Sequence, residues 1–111
     1  MTETISFEDF AKMDIRIGLV RAAERVPETD KLIKCTVDFG DMGERTIVSG
    51  IAAYHAPEEL VGKLLLYIVN LVPRVIKGIE SQGMLLALSY GENDFSLIIP
   101  EHDTPPGTKV K

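Results

Sequence analysis

The sequence predicts an all-β protein that folds as a small, closed or nearly closed barrel. Its 111 residues suffice for one hydrophobic core, so we expect a single domain over residues 1–111. Most apolar segments alternate with polar residues at the two-residue period of strands. Turn-forming residues separate these segments at short intervals, as between the strands of an antiparallel sheet. Together these observations favour several short strands over a helical bundle.

The first half of the chain predicts a short helix followed by three strands. Ser6 can cap a helix over residues 7–13, with Asp9 three residues further on in a capping-box arrangement. The predicted strands, of which the second shows the cleanest alternation, are 15–19, 33–39 and, after a turn at 40–44, 45–51.

The second half predicts one short helix and three more strands. Pro57 at a first helical position, Glu58 and Glu59 in the first turn and Gly62 at the end describe one or two helical turns. The strand that follows is apolar on both faces and should be the most buried. The three predicted strands are 63–71, 84–89 and 95–99, the last two joined by a turn at 91–94.

This order of elements matches the OB fold, a five-stranded Greek-key barrel with a short helix between strands 3 and 4. In this chain a short N-terminal helix precedes the barrel, and extra C-terminal strands follow it. The prediction is therefore an OB-fold barrel with additions at both ends.

Net charge argues against a non-specific nucleic-acid binder. Twelve basic and seventeen acidic residues give a formal charge of −5, which repels a long polyanion on average. The charge is unevenly distributed, however. Residues 62–90 carry Lys63, Arg74 and Lys77 against only Glu80, which leaves room for a local basic face.

The chain shows no pattern of catalytic, metal-ligating or cofactor-binding residues. His55 and His102 lie far apart, and no Cys or His pair has metal-ligand spacing, so we expect no metal, no cofactor and no enzyme activity. Cys35 lies on the apolar face of a predicted strand, where core packing is expected. No apolar run approaches the ~18 residues of a membrane span. A lone cysteine and the absence of a secretion-signal pattern predict a cytoplasmic protein.

Residues 70–84 form a long connection after the most buried strand, where binding groups often lie. Arg74 and Lys77 are donors suited to phosphate, while Asn70, Ser81 and Gln82 offer groups suited to base edges or ribose. A solvated loop that only closes the barrel would have a similar composition. The residues alone leave both interpretations open.

Residues 78–87, Gly-Ile-Glu-Ser-Gln-Gly-Met-Leu-Leu-Ala, resemble the signature of the tRNA-binding domain family. That family includes the C-terminal domain of methionyl-tRNA synthetases and stand-alone structure-specific tRNA-binding proteins. Agreement extends over most of the chain, in family order: residues 7–18, 27–32, 46–52, 57–63 and 105–108.

The resemblance implies an OB barrel that recognises tRNA by shape, as a homodimer, and that is appended to a methionyl-tRNA synthetase or acts beside one in trans. Dimer contacts would come from the segment around Phe7 and Phe10 or from the final strands. The implied tRNA contacts fall into three groups. They are Lys31, Arg74 and Lys77 for phosphates, Asn70, Ser81 and Gln82 for ribose or base edges, and Met84 for an unstacked base, unless Met84 belongs to the core.

The chain also departs from the family pattern, and a second function stays open. Val72 and Val75 stand where many relatives carry lysines, so we expect modest affinity for tRNA. CsaA-type chaperones resemble the same pattern and bind unfolded polypeptides, for which apolar residues in 71–79 would be suited. Residues 80–84, Glu-Ser-Gln-Gly-Met, keep the tRNA type and favour tRNA binding.

Overall fold

The computed structural model describes residues 2–111 and confirms the all-β prediction. In chain order its helices and strands are α1 (Phe7–Ala11), β1 (Ile15–Arg25), β2 (Ile33–Asp38), β3 (Glu44–Ser49), α2 (Pro57–Leu60), β4 (Leu64–Ile68), β5 (Arg74–Ile76), β6 (Ile79–Ser81), β7 (Met84–Leu85), β8 (Ala87–Tyr90) and β9 (Asp94–Leu97). A 3₁₀ turn at Gly40–Met42 joins β2 to β3. The short helix α2 follows the third strand, as the OB fold requires.

Five antiparallel strands form the main sheet in the order β3-β2-β1-β4-β7. The long strand β1 makes the sheet curl, because its two halves pair with different neighbours. Ile15–Leu19 pairs with β4, and Leu19–Arg25 pairs with β2, with a bulge between Val20 and Ala22. The sheet then closes where β3 approaches residues 81–85. The predicted five-stranded, nearly closed barrel is thereby confirmed.

The barrel interior is filled by the alternate residues of β2 together with side chains from β1, β3 and β4. Ile33, Cys35 and Val37 are all buried, as the alternation predicted. Phe39 and Tyr67 meet edge to face at the centre, with ring centroids 5.5 Å apart. Burial raises the pKa of the Cys35 thiol to about 11, so at neutral pH it is a packing residue and not a nucleophile.

The C-terminal segment covers the free side of β1. Ile17 N donates to Thr108 O at 2.9 Å, and Val110 N donates to Ile15 O at 2.8 Å. Gly107 (φ 91°) lies so close to Phe39 that any side chain would collide with the Phe39 carbonyl. The end of the chain is therefore an integral edge of the barrel.

Several boundaries differ from the sequence prediction. Helix α1 ends at Ala11, although Ser6 caps it as expected by accepting a hydrogen bond from Asp9 N. Strand β1 runs on to Arg25, and the predicted strand 84–89 divides into β7 and β8. None of the helices in residues 2–111 is long and apolar enough to cross a membrane.

Candidate nucleic-acid interface

The connection after β4 is a β-hairpin, which the sequence analysis did not predict. Strands β5 and β6 pair through Arg74 with Ser81, Val75 with Glu80 and Ile76 with Ile79. Lys77 and Gly78 form the two-residue turn, with φ of 51° and 79°. Positive φ at both positions defines a type I′ turn, whose twist matches that of the flanking strands. The hairpin gives this segment a fixed shape.

The two faces of the hairpin have different surroundings. Directly paired residues of an antiparallel ladder lie on the same face, so Arg74 shares a face with Ser81, and Val75 shares the other with Glu80. Because Ser81 is buried against β3, the face of Arg74 is the one turned towards the barrel. Val75 and Glu80 point away from it, and Val75 is 71% exposed.

Ser81 fixes the hairpin to the barrel. Its Oγ accepts a hydrogen bond from Val48 N at 3.0 Å and donates one to Gly83 O at 3.1 Å. The side chain is one of the few buried polar ones, with 4% of the residue exposed. Its hydroxyl proton is used within the protein, as expected for a buried polar group.

Gln82 and Arg45 close the barrel beside Ser81. Gln82 N donates to Thr46 O at 2.8 Å, and Gln82 Oε1 accepts from Thr46 N at 3.0 Å. Arg45 Nη1 donates to Val69 O at 2.6 Å and to Gln82 O at 3.4 Å. Sequence reasoning missed Arg45, because its partners lie 24 and 37 residues away and no local pattern marks them.

Asn70 joins the end of β4 to the connection between α1 and β1. Its Oδ1 accepts a hydrogen bond from Asp14 N at 2.8 Å, and its Nδ2 donates to Lys12 O at 2.6 Å. The residue is nevertheless exposed, and the second N–H of its amide has no partner in residues 2–111. Contact of Asn70, Ser81 and Gln82 with RNA remains a prediction, and each already has a structural role.

Lys31 and Lys77 lie on one groove although they are far apart in sequence. The loop between β1 and β2 and the tip of the hairpin form its walls, and its volume is about 340 Å³. Both lysines are exposed. The structure therefore brings together two of the predicted phosphate-binding residues.

Arg74 and Met84 line a second, smaller cavity of about 100 Å³ between the hairpin and the barrel. Leu71 and Val72 are among its apolar lining residues, and Val72 is 85% exposed. Met84 pairs with Ile68 at the head of β7 and is 44% exposed, so its side chain is accessible from solvent. Met84 is therefore not part of the core, and its contact with an unstacked base stays a prediction.

The three cations of this surface have no ion-pair partner in residues 2–111: Lys31, Arg74 and Lys77. Four of the other basic residues are ion-paired within residues 2–111, as in Arg16–Asp14 at 2.7 Å and Arg21–Asp38 at 2.8 Å, and five are not. An unpaired cation at the surface is available to a phosphate without first breaking an ion pair. Arg74 and Lys77 belong to the stretch 62–90, in which the sequence leaves room for a basic face, whereas Lys31 comes from the β1–β2 loop, which also carries Glu28 and Asp30.

The two histidines lie in separate surroundings. His55 lies beside α2, 3.3 Å from Glu59, whose Oε1 accepts a hydrogen bond from Ala56 N. That backbone hydrogen bond, helped by His55, lowers the pKa of Glu59. His102 lies at the surface next to Glu101. Within residues 2–111, no group of His, Cys, Asp and Glu side chains is arranged to hold a metal ion.

Comparison with known proteins assigns the chain to a family. Residues 15–109 match the family model described as "Putative tRNA binding domain". Methionine–tRNA ligases from Porphyromonas gingivalis and Archaeoglobus fulgidus are each 50% identical to the chain, over 111 and 108 residues. These matches cover 100% and 97% of this chain but only 16% of either ligase, so the chain spans a small part of the relatives' length.

Solved structures agree over almost the whole fold. A MetRS-related protein from Pyrococcus horikoshii superposes with a TM-score of 0.92 at 43% identity, covering 99% of this chain and 100% of that one. The chaperone CsaA from Bacillus anthracis gives a TM-score of 0.89 at 32% identity, covering 98% and 100%. With 95 of its residues (15–109) in the family model and this agreement in fold, the chain belongs to the tRNA-binding domain family.

Proposed function

We propose that this chain is a non-catalytic module that binds tRNA largely by shape, through phosphate and ribose contacts. The observation that carries the proposal is the set of free cations on the signature hairpin and the facing loop. Lys31, Arg74 and Lys77 are exposed and unpaired in residues 2–111, in a chain whose net charge is −5. Unpaired cations at one place on the surface allow even an acidic protein to bind a polyanion there.

We assign each proposed contact from the groups of the side chain that have no partner within the protein. The three cations would neutralise phosphates, and the exposed Met84 would contact an unstacked base. Asn70 keeps one side-chain amide N–H, and Gln82 keeps two, without a partner in residues 2–111, which suits ribose or base-edge oxygens. Ser81 has its hydroxyl buried and bonded, and would act by holding the hairpin in place.

We further propose a homodimer that serves methionyl-tRNA synthetase in the cytoplasm, either in trans or as part of a longer chain. The names of the relatives support the synthetase, since both are methionine–tRNA ligases. An apolar groove of about 430 Å³ supports the dimer, with Phe7, Phe10, Met13 and Val110 in its lining. Phe7 is 79% exposed there, which is unusual for so large an apolar side chain.

A second candidate function is the binding of unfolded polypeptide. Val72, just before the hairpin, and Val75, on it, are 85% and 71% exposed, and CsaA, a chaperone, shares the fold at 32% identity. Neighbouring exposed apolar residues suit an extended apolar segment better than they suit phosphate.

The deciding experiment measures fluorescence anisotropy of labelled tRNA with the purified chain at several salt concentrations, with an unfolded polypeptide as competitor. Binding of tRNA should be saturable, should weaken as salt rises and should resist the competitor. Absence of tRNA binding at low salt, together with capture of the unfolded chain, would replace the proposal by the chaperone function.

A further inference from the structure

The groove that holds Lys31 and Lys77 also carries two carboxylates that the tRNA proposal does not use. Glu28 and Asp30 lie on the same loop as Lys31, and Thr29 and Leu32 complete the lining. All four charged residues are exposed, and none of them is in an ion pair within residues 2–111. A purely phosphate-binding groove would gain nothing from two negative charges, since these repel phosphate.

The walls of the groove are held by the backbone. At the base of the loop, Val26 N donates to Leu32 O at 3.1 Å, and Ala52 N donates to Lys31 O at 3.0 Å. Thr29 Oγ1 closes the loop on Val26 O at 2.8 Å. The opposite wall is the type I′ turn at Lys77. The backbone on both sides of the groove therefore has a fixed shape, and the exposed charged side chains extend from it into solvent.

A ligand that matches both the lysines and the carboxylates of this groove has a negative group close to two neighbouring hydrogen-bond donors. The two lysines suit a phosphate, and a carboxylate has only acceptor oxygens. The Watson–Crick edge of guanine places an N1–H and an N2–H side by side, which match the two oxygens of one carboxylate. Adenine, cytosine and uracil each place an acceptor beside their donor on that edge. An unpaired nucleotide is needed, because in a duplex this edge is already bonded.

We propose that this groove binds one unpaired guanine nucleotide of the RNA, with its phosphate between Lys31 and Lys77 and its base edge on Glu28 or Asp30. The inference rests on the proposed tRNA binding and adds to it the recognition of one base. Modest overall affinity would then be accompanied by discrimination at one position, where a bidentate contact is lost with any other base.

The test uses three labelled RNA stem-loops that differ only in whether one loop nucleotide is G, A or U, with fluorescence anisotropy as the readout. The wild-type chain should bind the G loop about tenfold more tightly than the other two. Glu28→Gln or Asp30→Asn should reduce this preference to about twofold by weakening the G loop. Lys31→Gln and Lys77→Asn should weaken all three loops alike.

Two controls separate base recognition from simple charge repulsion. Glu92→Gln removes an exposed carboxylate from the β8–β9 turn and should leave the G preference unchanged. If the carboxylates only repel phosphate, both groove variants would raise the affinity for all three loops equally, which would overturn the inference. Equal wild-type binding of the three loops would also overturn it and leave tRNA binding standing. Failure to bind tRNA and every loop would overturn the proposed function itself.

Discussion

Replacing Ser81 by alanine tests whether the family signature holds the site together. The change deletes the acceptor of Val48 N and the donor to Gly83 O, and it leaves a backbone N–H of a buried residue without a partner. An unsatisfied buried donor costs about 1–3 kcal/mol. For a domain of this size, roughly 4 °C of melting temperature corresponds to each kcal/mol, so Tm should fall by about 4–12 °C.

The assay is thermal unfolding followed by circular dichroism, with Ser89→Ala as the matched control. Ser89 lies exposed on β8, and its hydroxyl makes no hydrogen bond within residues 2–111. Its replacement should change Tm by no more than about 2 °C, because surface substitutions are usually within ±0.5 kcal/mol. Equal Tm values for the two variants would refute the anchoring role of Ser81.

The remaining predictions concern the core thiol and the dimer. Burial raises the Cys35 pKa from 9.0 to about 11, so the stability that the thiol contributes is present below pH 9 and is lost as pH rises through 9 to 11. In denaturant unfolding, the free energy of unfolding of Cys35→Val should therefore fall less between pH 9 and pH 11 than that of the wild type. An equal fall in the two proteins would contradict the raised pKa of the buried thiol. The wild-type chain should elute as a dimer in size-exclusion chromatography. If the N-terminal groove is the interface, Phe7→Ser should convert the dimer to a monomer. If only Leu88→Ser does so, the interface lies on the final strands. A wild-type chain that is monomeric at all concentrations would exclude both interfaces.

The fold was largely predictable because half-buried strands record their burial in local alternation. In β2 the buried and half-buried residues alternate without exception over Ile33–Asp38. The second half of β1 was missed because residues 21–25, Arg-Ala-Ala-Glu-Arg, have little strand propensity. Pairing with β2 along Ala22–Arg25 overrides that local preference.

The site was predictable in its residue types but less so in its geometry. Strands of three residues are too short to show alternation, and the I′ turn carries lysine where asparagine is the usual signal, so the β5–β6 hairpin escaped notice. The hydrogen bonds of Ser81 and Gln82 reach β3, 33 and 36 residues away. Such partners are decided by barrel closure, which no local pattern encodes.

The most direct test of the central claim, that Lys31, Arg74 and Lys77 bind tRNA phosphates, is the salt dependence of tRNA binding. It is compared between the wild type and the triple variant Lys31→Gln, Arg74→Gln, Lys77→Asn. Asparagine at position 77 tolerates the positive φ of the turn. A Lys12→Gln, Lys34→Gln variant, which removes two cations outside this surface, is the control. If the three cations hold phosphates, the slope of log K against log salt should become shallower by roughly 2–3, while the control keeps a slope close to that of the wild type. An unchanged slope and affinity in a folded triple variant would contradict the assignment of tRNA binding to this surface.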